Sequence, residues 1–415
     1  MGMTMVEKIL ARASGRLAVQ AGDTVVAKVD MNILIDLMFT QWPDPLSIAD
    51  AERTAVILDH AVPAPSVVDA NAAVLAREFA ARFGIERFFD VGRHGICHQV
   101  IAENALALPG QVLTCTDSHT CAGGAYNNAA RGLGPVEIIS ILCTGETWYS
   151  VAPTIRYELT GAPAPGVTGK DVFLHLAGTW GDATNHTLEF GGPGLASLPM
   201  NDRRTIATQG AEVSADFSVF EFDEHCAAYL AEHGAPDSFT PAAPDPDAAY
   251  VATRTIDLGA LVPYVARPGK VSENALPIPE IEDRAVQQCF IGSCANGQLE
   301  DLRIAAEILG GRQVARDVRL IVTPASQQVY RDAVRLGYVQ ALADAGAVVT
   351  NSTCGACFGY HMGVLGAGEV CLTSSTRNFR GRMGSPDAEI YMASTATVAS
   401  SAVIGRITDP RKALG

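Results

Sequence analysis

The spacing of apolar and polar residues along the chain predicts short strands that alternate with helices. Apolar residues at helical spacing, or Ala-rich runs, predict helices at 6–12, 70–83, 95–108, 127–133 and 204–212. Short apolar or alternating runs predict strands at 25–29, 51–58, 112–116, 217–222, 289–291, 318–322 and 347–350. Asp69 or Asn71 is expected to cap the second helix, and Gly84 to follow its last turn. Several strands run directly into polar loops, an order that favours an α/β fold with chemistry at the strand ends.

The length of the chain predicts more than one domain. A chain of 415 residues and 43.6 kDa is too long for one compact core. A Pro- and Gly-rich stretch at 162–166 indicates a boundary, and the segment at 234–249, rich in Pro, Asp and Ala, is the clearest linker. We therefore predict three α/β domains, which span 1–162, 163–280 and 281–415.

Composition and charge exclude several classes of partner. Hydrophobic residues make up 48% of the chain and charged residues 18%, which is typical of a well-buried globular enzyme. The formal net charge of −15 argues against a nucleic-acid or anionic-membrane partner, because phosphate binding needs clustered Lys and Arg. Ten Cys without a signal peptide or an apolar run of membrane-spanning length indicate reduced thiols and a cytoplasmic protein.

Three of the cysteines have the spacing of a metal centre. Cys354 and Cys357 form a Cys-x-x-Cys turn, and Cys294 lies 60 residues upstream in a Gly-Ser-Cys loop. Three thiolates suit a soft metal centre and leave one coordination position for a substrate, whereas a closed structural zinc site needs four ligands. A lone Cys-x-x-Cys is also typical of a redox dithiol. The other seven cysteines are interpreted as small buried hydrophobic residues.

Histidines beside carboxylates are candidates for proton transfer. Asp59 and His60 end a predicted strand, Asp117 and His119 follow another, and His98 opens a helix. A carboxylate favours the protonated form of a neighbouring histidine, which suits a general acid. Neighbouring side chains on a strand point to opposite faces, so Asp59 and His60 serve one site only if the backbone turns there. The alternative is that these are unrelated loop histidines.

Arg377 and Arg382 are candidates for binding an anionic substrate. They lie five residues apart, with Arg380 between them. A planar guanidinium binds a carboxylate through two hydrogen bonds, and a diacid needs more than one such group. The ordinary explanation for a basic run of this kind is solvated surface charge.

Together these motifs resemble the aconitase superfamily, in particular its 3-isopropylmalate dehydratase large-subunit type. The resemblance includes five blocks in the same order, from about residue 6 to the C-terminus, which are 58–60, 116–120, 291–301, 353–357 and 375–382. Five motifs in order are more specific than any one of them.

The resemblance implies a fold, a cofactor and roles for further residues. The implied fold is three α/β/α domains around a shared cleft. The implied cofactor is one [4Fe-4S] cluster per subunit, which Cys294, Cys354 and Cys357 hold while one iron lacks a protein ligand. Glu212 matches an acidic residue near that iron, and Ser118 and Asn296 match residues near the cluster or substrate. The implied activity is a hydro-lyase that dehydrates a malate-like 2- or 3-hydroxy diacid, with possible isomerisation by rehydration.

The chain also departs from the family pattern. Ala207, Thr208 and Gln209 replace Cys-Asn-Met, and Thr376 replaces an Asn. Asn296 is flanked by Ala295 and Gly297, where the family has Thr and Ser. Val29 and Asp30 replace a more polar pair. These changes indicate a substrate that differs from the common ones. The resemblance implies that the catalytic base, a serine, belongs to a swivelling domain, which we expect to be absent from this chain and supplied by a separate small subunit as a lid.

Three other functions remain open at this stage. One is a dehydratase of another hydroxy acid, such as a dimethylmalate, homocitrate or a phosphonate analogue. Another is a non-catalytic metal-binding or iron-sensing protein of the kind that binds RNA. The net charge of −15 argues against RNA binding by this chain. The third is a structural zinc protein, which would contain zinc and neither iron nor sulfide.

Overall fold

Three β-sheets follow one another along the chain in the computed structural model, which describes residues 2–42, 44–281 and 283–414. Their strands lie within 31–132, 154–257 and 264–393. A separate two-stranded antiparallel ribbon joins β1 (Thr24–Lys28) to β7 (Glu146–Ser150). The ranges predicted for three domains stay a prediction.

The first sheet is parallel and positions two of the predicted motifs. Its elements are α1 (Met5–Ser14), β2 (Met31–Ile35), β3 (Thr54–Ile57), α2 (Val67–Phe83), β4 (Phe88–Phe89), α3 (Cys97–Glu103), β5 (Val112–Cys115), β6 (Ala129–Gly132) and α4 (Pro135–Thr144). The strand order is β4-β3-β2-β5-β6. Because neighbouring parallel strands end at the same edge, the segments after β3, β2 and β5 lie side by side.

The second sheet is also parallel. Its elements are β8 (Thr154–Thr160), α5 (Gly169–Trp180), β9 (Thr187–Gly191), α6 (Met200–Gln209), β10 (Phe217–Phe220), α7 (Glu224–Glu232) and β11 (Ala252–Asp257). The strand order is β10-β9-β8-β11. The segment 234–249 leads to β11 and contacts the first sheet unit, where the Asn127 side chain accepts from Ala242 N at 2.7 Å.

The third sheet is mixed and carries the three candidate cysteines in its loops. Its elements are β12 (Tyr264–Ala266), β13 (Ala275–Pro277), β14 (Gln288–Ile291), α8 (Ser293–Asn296), α9 (Leu299–Leu309), β15 (Arg319–Val322), α10 (Gln327–Arg335), α11 (Tyr338–Asp344), β16 (Val348–Val349), β17 (Val370–Thr373), β18 (Glu389–Ala393), α12 (Thr395–Ile404) and α13 (Arg411–Leu414). The strand order is β13-β12-β18-β17-β14-β15-β16, with β12 antiparallel to both neighbours.

Short 3-10 helices connect many of these elements. They span Asp36–Gln41, Thr120–Tyr126, Pro193–Ser197, Gly210–Val213, Leu258–Ala260, Ile278–Glu280 and Gly355–Phe358. Two of them, at 210–213 and 355–358, contain the candidate site residues Glu212 and Cys357, and the one at 120–126 begins directly after His119. A 3-10 turn is a tight connector, so it brings a side chain back toward the preceding strand end.

Several helix predictions need correction. The predicted helix at 127–133 is wrong, because Ala129–Gly132 pairs with β5 as strand β6. The predicted helix at 95–108 is shorter, since α3 ends at Glu103. Ser66, rather than Asp69 or Asn71, caps α2 by accepting from Asp69 N, whereas Gly84 ends that helix in the left-handed conformation as expected. None of the helices in the described ranges has both the length and the apolar character needed to cross a bilayer.

Candidate active site

Asp59 and His60 meet at the end of β3. The backbone leaves the strand after Ile57, and His60 Nδ1 lies 2.5 Å from Asp59 Oδ1. Both side chains are buried. Burial disfavours a charged imidazole, but Asp59 and Cys354 outweigh it and hold the pKa of His60 well above its ordinary value. The turn required for this pair to serve one site is therefore present.

Asp117 connects the three predicted histidines. Its Oδ1 lies 2.7 Å from His98 Nε2 and accepts from the backbone N of His119 at 2.7 Å. Its Oδ2 lies 3.7 Å from His60 Nε2. Burial would raise the pKa of Asp117, but His98 and His119 hold it well below the ordinary range. The ends of β3 and β5 and the start of α3 thus share one carboxylate.

Glu212 joins the first and third sheets through two short contacts. His119 Nε2 lies 2.8 Å from Glu212 Oε1, and Arg377 Nε donates to the same oxygen at 2.8 Å. Burial opposes ionisation of Glu212, but His119 and Arg377 lower its pKa. Burial also opposes the charge of His119, which Cys294, Asp117 and Glu212 overcome, so the pKa of His119 is well above normal.

The three predicted cysteines converge on these residues from two loops of the third sheet. Cys294 lies in α8 after β14. Cys354 directly precedes the 3-10 helix at 355–358, and Cys357 lies within it. The thiol of Cys294 lies close enough to His119 to interact with it electrostatically, as do Cys354 with His60 and Cys357 with Arg382. Cys354 also packs against the small buried cluster that contains Cys294.

The electrostatics of the thiols differ. Burial disfavours a thiolate at Cys357, but Arg382 and His119 outweigh it and lower the pKa of that thiol. Burial raises the pKa of Cys354 to about 12, although His60 opposes the shift. A cationic side chain accompanies each thiol, so the pocket compensates the charge of three bound thiolates.

The separation of the sulfurs argues against one zinc ion held by all three thiols. Two groups of three potential metal ligands occur in the described ranges, with all ligand atoms of a group within 4.8 Å of one another. They are Asp59–His60–Cys354 and Cys97–His98–Asp117. The three thiols do not form such a group, so at least one pair of sulfurs is farther apart. Ligands of a single tetrahedral zinc lie within about 4 Å of one another, since each Zn–S bond is about 2.3 Å. The three thiols therefore do not form a compact site for one ion, and a larger metal centre fits them better.

Several buried polar atoms of the candidate site and its neighbouring segments have no hydrogen-bond partner. Among the described residues, these include His98 Nδ1, Thr116 Oγ1, Asn296 Oδ1, Ser375 Oγ, Thr376 Oγ1 and Arg382 Nε. Buried polar groups are normally hydrogen-bonded, so a concentration of unpaired ones indicates a site that binds further groups. The residues present therefore fit an inorganic cluster and a polar ligand.

The remaining predicted residues divide between the cavity and its wall. Ser118, Arg377 and Arg382 line a cavity of ≈ 270 Å³ together with His60, Asp117 and His119. Asn296 is buried, and its Nδ2 donates to Asp301 Oδ1 at 3.0 Å. Arg380 is exposed and pairs with Asp387 at 2.9 Å, outside the cavity.

Comparison with known proteins decides the family. The sequence pattern of the aconitase family (aconitate hydratase) matches residues 3–283 and 270–405. This chain belongs to the aconitase family. The membership confirms the predicted class, an aconitase-type hydro-lyase, and the predicted α/β fold.

Relatives of this aconitase-family chain match it over nearly its full length. It is 68% identical over 413 residues to the 3-isopropylmalate dehydratase large subunit of Mycolicibacterium smegmatis, covering 99% of this chain and 98% of the relative. It is 42% identical over 419 residues to the 3-isopropylmalate dehydratase large subunit 1 of Methanopyrus kandleri, covering 99% of each. The predicted large-subunit type is thereby confirmed.

A solved structure shares the fold. The crystal structure of aconitase X from Thermococcus kodakaraensis, in its holo form, matches with a TM-score of 0.51 at 11% identity. The match covers 85% of this chain and 84% of that chain.

Asp36 is a residue of this aconitase-family site that the sequence analysis missed. Its Oδ1 accepts from His60 N at 3.2 Å and its Oδ2 from Ala61 N at 2.8 Å. Burial and the nearby Asp59 raise the pKa of Asp36 to about 7. The signal was available, because Asp36 follows the apolar strand β2 just as Asp117 closely follows β5.

Lys170 was also missed. This side chain is fully buried in α5, and its Nζ donates to Ser375 O at 2.9 Å, two residues before Arg377. With the Gln209 amide oriented to suit its neighbours, its oxygen accepts from Lys170 Nζ at 3.2 Å and its nitrogen donates to Thr376 O at 3.2 Å. One of the departures noted in the sequence, Gln209, therefore takes part in a polar bridge through its side chain, whereas Thr376 takes part only through its backbone carbonyl. A single lysine in a helix gives no sequence signal for such a role.

One of the noted departures lies away from the site. Asp30 accepts from Val112 N at 2.8 Å and pairs with Arg12. These contacts join α1 to the start of β5, so the Asp30 side chain stabilises the fold and does not reach the candidate site.

Proposed function

We propose that this chain is the catalytic large subunit of a hydro-lyase that removes water from a hydroxy diacid of the 3-isopropylmalate type. The single observation that carries the proposal is the convergence of three thiols on two carboxylate-paired histidines, His60 and His119, beside two arginines. Thiols from the third sheet, histidines from the first and Glu212 from the second suit one reaction at their junction. The high identity to proteins named for that dehydratase supports the substrate class.

The proposed cofactor is a [4Fe-4S] cluster held by Cys294, Cys354 and Cys357, with one iron free of protein ligands. When bound, such a cluster supplies Lewis-acid polarisation of a substrate hydroxyl, which makes hydroxide a better leaving group. Three thiols with cationic neighbours support this cofactor, as do the unpaired buried polar atoms of the candidate site.

The chain's own side chains have separate tasks in the proposed reaction. Arg377 and Arg382 bind substrate carboxylates, because both line the cavity and present planar guanidinium groups. His119 holds a proton at a ring nitrogen, and Glu212 orients the ring through the 2.8 Å contact to Nε2. Asp59 orients His60 through Nδ1, so that Nε2 is directed toward Asp117. Ser118, at the rim of the cavity, is proposed to hydrogen-bond a substrate carboxylate.

His98 and Asn296 act from behind the cavity. His98 fixes Asp117 through its Nε2 at 2.7 Å. Asn296 lies two residues after Cys294 and leaves its Oδ1 unpaired, which we assign to a polar group bound at the cluster. Both residues position groups rather than donate the proton that leaves with hydroxide.

A separate small subunit is proposed to complete the site. Both histidines that line the cavity have a pKa well above the ordinary value, because neighbouring carboxylates and thiols outweigh burial, so both rings already hold a proton. A base for the substrate C–H proton must therefore come from another group, and a lid that closes over the cavity would also exclude water. The names of the relatives, which are large subunits, support this division.

The test is a reconstitution with a panel of substrates. The chain is produced with a small-subunit partner, loaded with iron and sulfide without oxygen, and offered 3-isopropylmalate, citrate, homocitrate and 2,3-dimethylmalate. We expect formation of an unsaturated diacid, fastest from 3-isopropylmalate, and no turnover by the loaded large chain alone. Turnover by the large chain alone would remove the proposed partner, and no dehydration of any panel member by the complex would remove the proposed activity.

A further inference from the structure

An apolar segment lies in the middle of the polar edge of the first sheet. Strand β2 lies between β3, which leads to Asp59 and His60, and β5, which leads to Asp117 and His119. Between these two polar ends, β2 ends in Ile35 and continues into Leu37 and Met38. All three line the same ≈ 270 Å³ cavity as the histidines and arginines.

Asp36 fixes this apolar segment relative to the catalytic histidine. The Asp36 carboxylate accepts from the backbone N of His60 and of Ala61, at 3.2 and 2.8 Å, and from Leu37 N at 2.9 Å. Ile35 and Met38 are buried, and Leu37 is half-buried. The segment is therefore a fixed wall of the cavity rather than a mobile loop.

Phe358 and Pro135 extend the apolar lining. Phe358 packs edge-on to His60, with ring centroids 5.2 Å apart, and Arg382 lies over its ring at 5.4 Å. Pro135 begins α4 and lines the cavity as well. Cationic and apolar lining thus occur in one small cavity, which suits a ligand that carries both carboxylates and an uncharged branch.

We propose that Leu37 and Met38, with Phe358, form a subsite for an alkyl substituent of the hydroxy diacid and thereby select branched substrates over malate. This inference rests on the proposed function and deepens it, because it assigns the selection to residues of the large chain. Arg377 and Arg382 bind the carboxylates, and the wall from 35 to 38 covers the branch.

The expected preference for the branched substrate over malate follows from the free energy of moving its extra carbon atoms out of water. A buried CH₂ or CH₃ group contributes about 0.8 kcal/mol, which is about fourfold in kcat/KM. An isopropyl group adds three carbons, so full burial gives about 60-fold and partial burial about 10-fold over malate. A polar wall would give no such increase, because it would lose hydrogen bonds to water when the branch binds.

The test compares a substrate series across matched variants of the loaded two-subunit enzyme. The series is malate and its 3-methyl, 3-ethyl and 3-isopropyl derivatives. We expect kcat/KM to rise stepwise along the series for the natural chain. Leu37→Asn is expected to lower the isopropyl-to-malate ratio at least fivefold, mostly through KM, and Leu37→Ile to retain most of it.

Controls separate this inference from the proposed function. Leu17→Asn, at a fully exposed leucine outside the site, is expected to leave the whole series unchanged. Leu37→Ala replaces Leu37→Asn if circular dichroism shows that the polar variant does not fold. Equal kcat/KM along the series, or an equal fall for every member in Leu37→Asn, would overturn the subsite while leaving the dehydratase in place. No dehydration of any member would overturn both.

Discussion

At the scale of single residues, Glu212 of the second sheet unit contacts one side chain from each of the other two sheet units. One oxygen accepts from Arg377 and faces His119, both at 2.8 Å. We predict that Glu212→Gln lowers kcat by about 10²- to 10⁴-fold, the usual contribution of general acid–base groups, because the amide no longer balances the charges of both partners. Steady-state kinetics of the loaded complex measures this.

A matched variant controls for the loss of a carboxylate. Glu307→Gln removes an exposed carboxylate paired with Arg303, and we expect kcat to stay within twofold. If Glu212→Gln kept full kcat, Glu212 would have only a structural role.

Lys170 gives a second prediction at this scale, on stability. Its ammonium is fully buried and donates to Ser375 O at 2.9 Å. Lys170→Ala leaves that carbonyl unpaired and creates a cavity, so we expect the free energy of unfolding to fall by about 2–5 kcal/mol. Lys270→Ala, at an exposed lysine, should change it by less than about 0.5 kcal/mol in the same denaturant titration. Equal effects in the two variants would contradict this.

The sequence predicted some residues of the site better than others for physical reasons. Cys294, Cys354 and Cys357 could be selected as candidates because a Cys-x-x-Cys turn with an upstream Gly-Ser-Cys loop is a recognisable local pattern of thiolate ligands. Asp36 follows the same pattern as Asp117, yet no histidine stands beside it to draw attention. Lys170 acts through a backbone carbonyl 205 positions away, and no local pattern encodes such a contact.

At the scale of elements, buried carboxyl groups join the first and second sheets. Glu189 in β9 accepts from Val6 N, in the first turn of α1, at 3.0 Å, and from the Tyr250 hydroxyl at 3.4 Å. Burial raises the pKa of Glu189 from 4.5 to about 7. The folded chain therefore binds more protons than the unfolded chain between these values, and the contribution of Glu189 to stability falls as pH rises through about 7.

Glu189→Gln tests this dependence. The amide oxygen keeps the bond from Val6 N, and the amide nitrogen donates to the Tyr250 oxygen, which reverses that bond. The amide carries no charge at either pH, so we expect the variant to gain about 1–3 kcal/mol relative to the natural chain between about pH 5 and about pH 8. Urea titrations at the two pH values measure the difference. Glu146→Gln, on the exposed strand β7, should show no such gain, and a gain of the same size there would refute the assignment.

The errors in the predicted elements arise from tertiary pairing. Ala129 and Ala130 favour a helix in isolation, but hydrogen bonds to β5 place them in a strand. Helix α4 begins at Pro135 after Gly134 and was missed, because the predicted helix was placed at 127–133, on the preceding strand β6. The order of strand, polar loop and helix was nevertheless predictable, since it depends on short apolar runs that are buried in every sheet.

At the scale of the whole molecule, loading of the cluster should stabilise the fold. A cofactor that binds the folded chain alone raises its apparent stability by mass action. We predict that anaerobic loading raises the melting temperature by several degrees in the natural chain and in Cys143→Ser, an exposed cysteine outside the site. Replacing Cys294, Cys354 or Cys357 by serine should abolish the rise. Scanning calorimetry measures it, and an undiminished rise in those three variants would contradict the assigned ligands.

Mössbauer spectroscopy of the anaerobically loaded chain tests the central claim most directly, because it distinguishes the individual irons of a cluster. The expected spectrum is that of a [4Fe-4S] cluster in which one iron differs from the other three and shifts when a hydroxy diacid is added, with the whole signal lost in each of the three Cys→Ser variants. Four equivalent irons that ignore the diacid, or a cluster that survives all three substitutions, would contradict a centre held by three thiolates with one iron open to substrate.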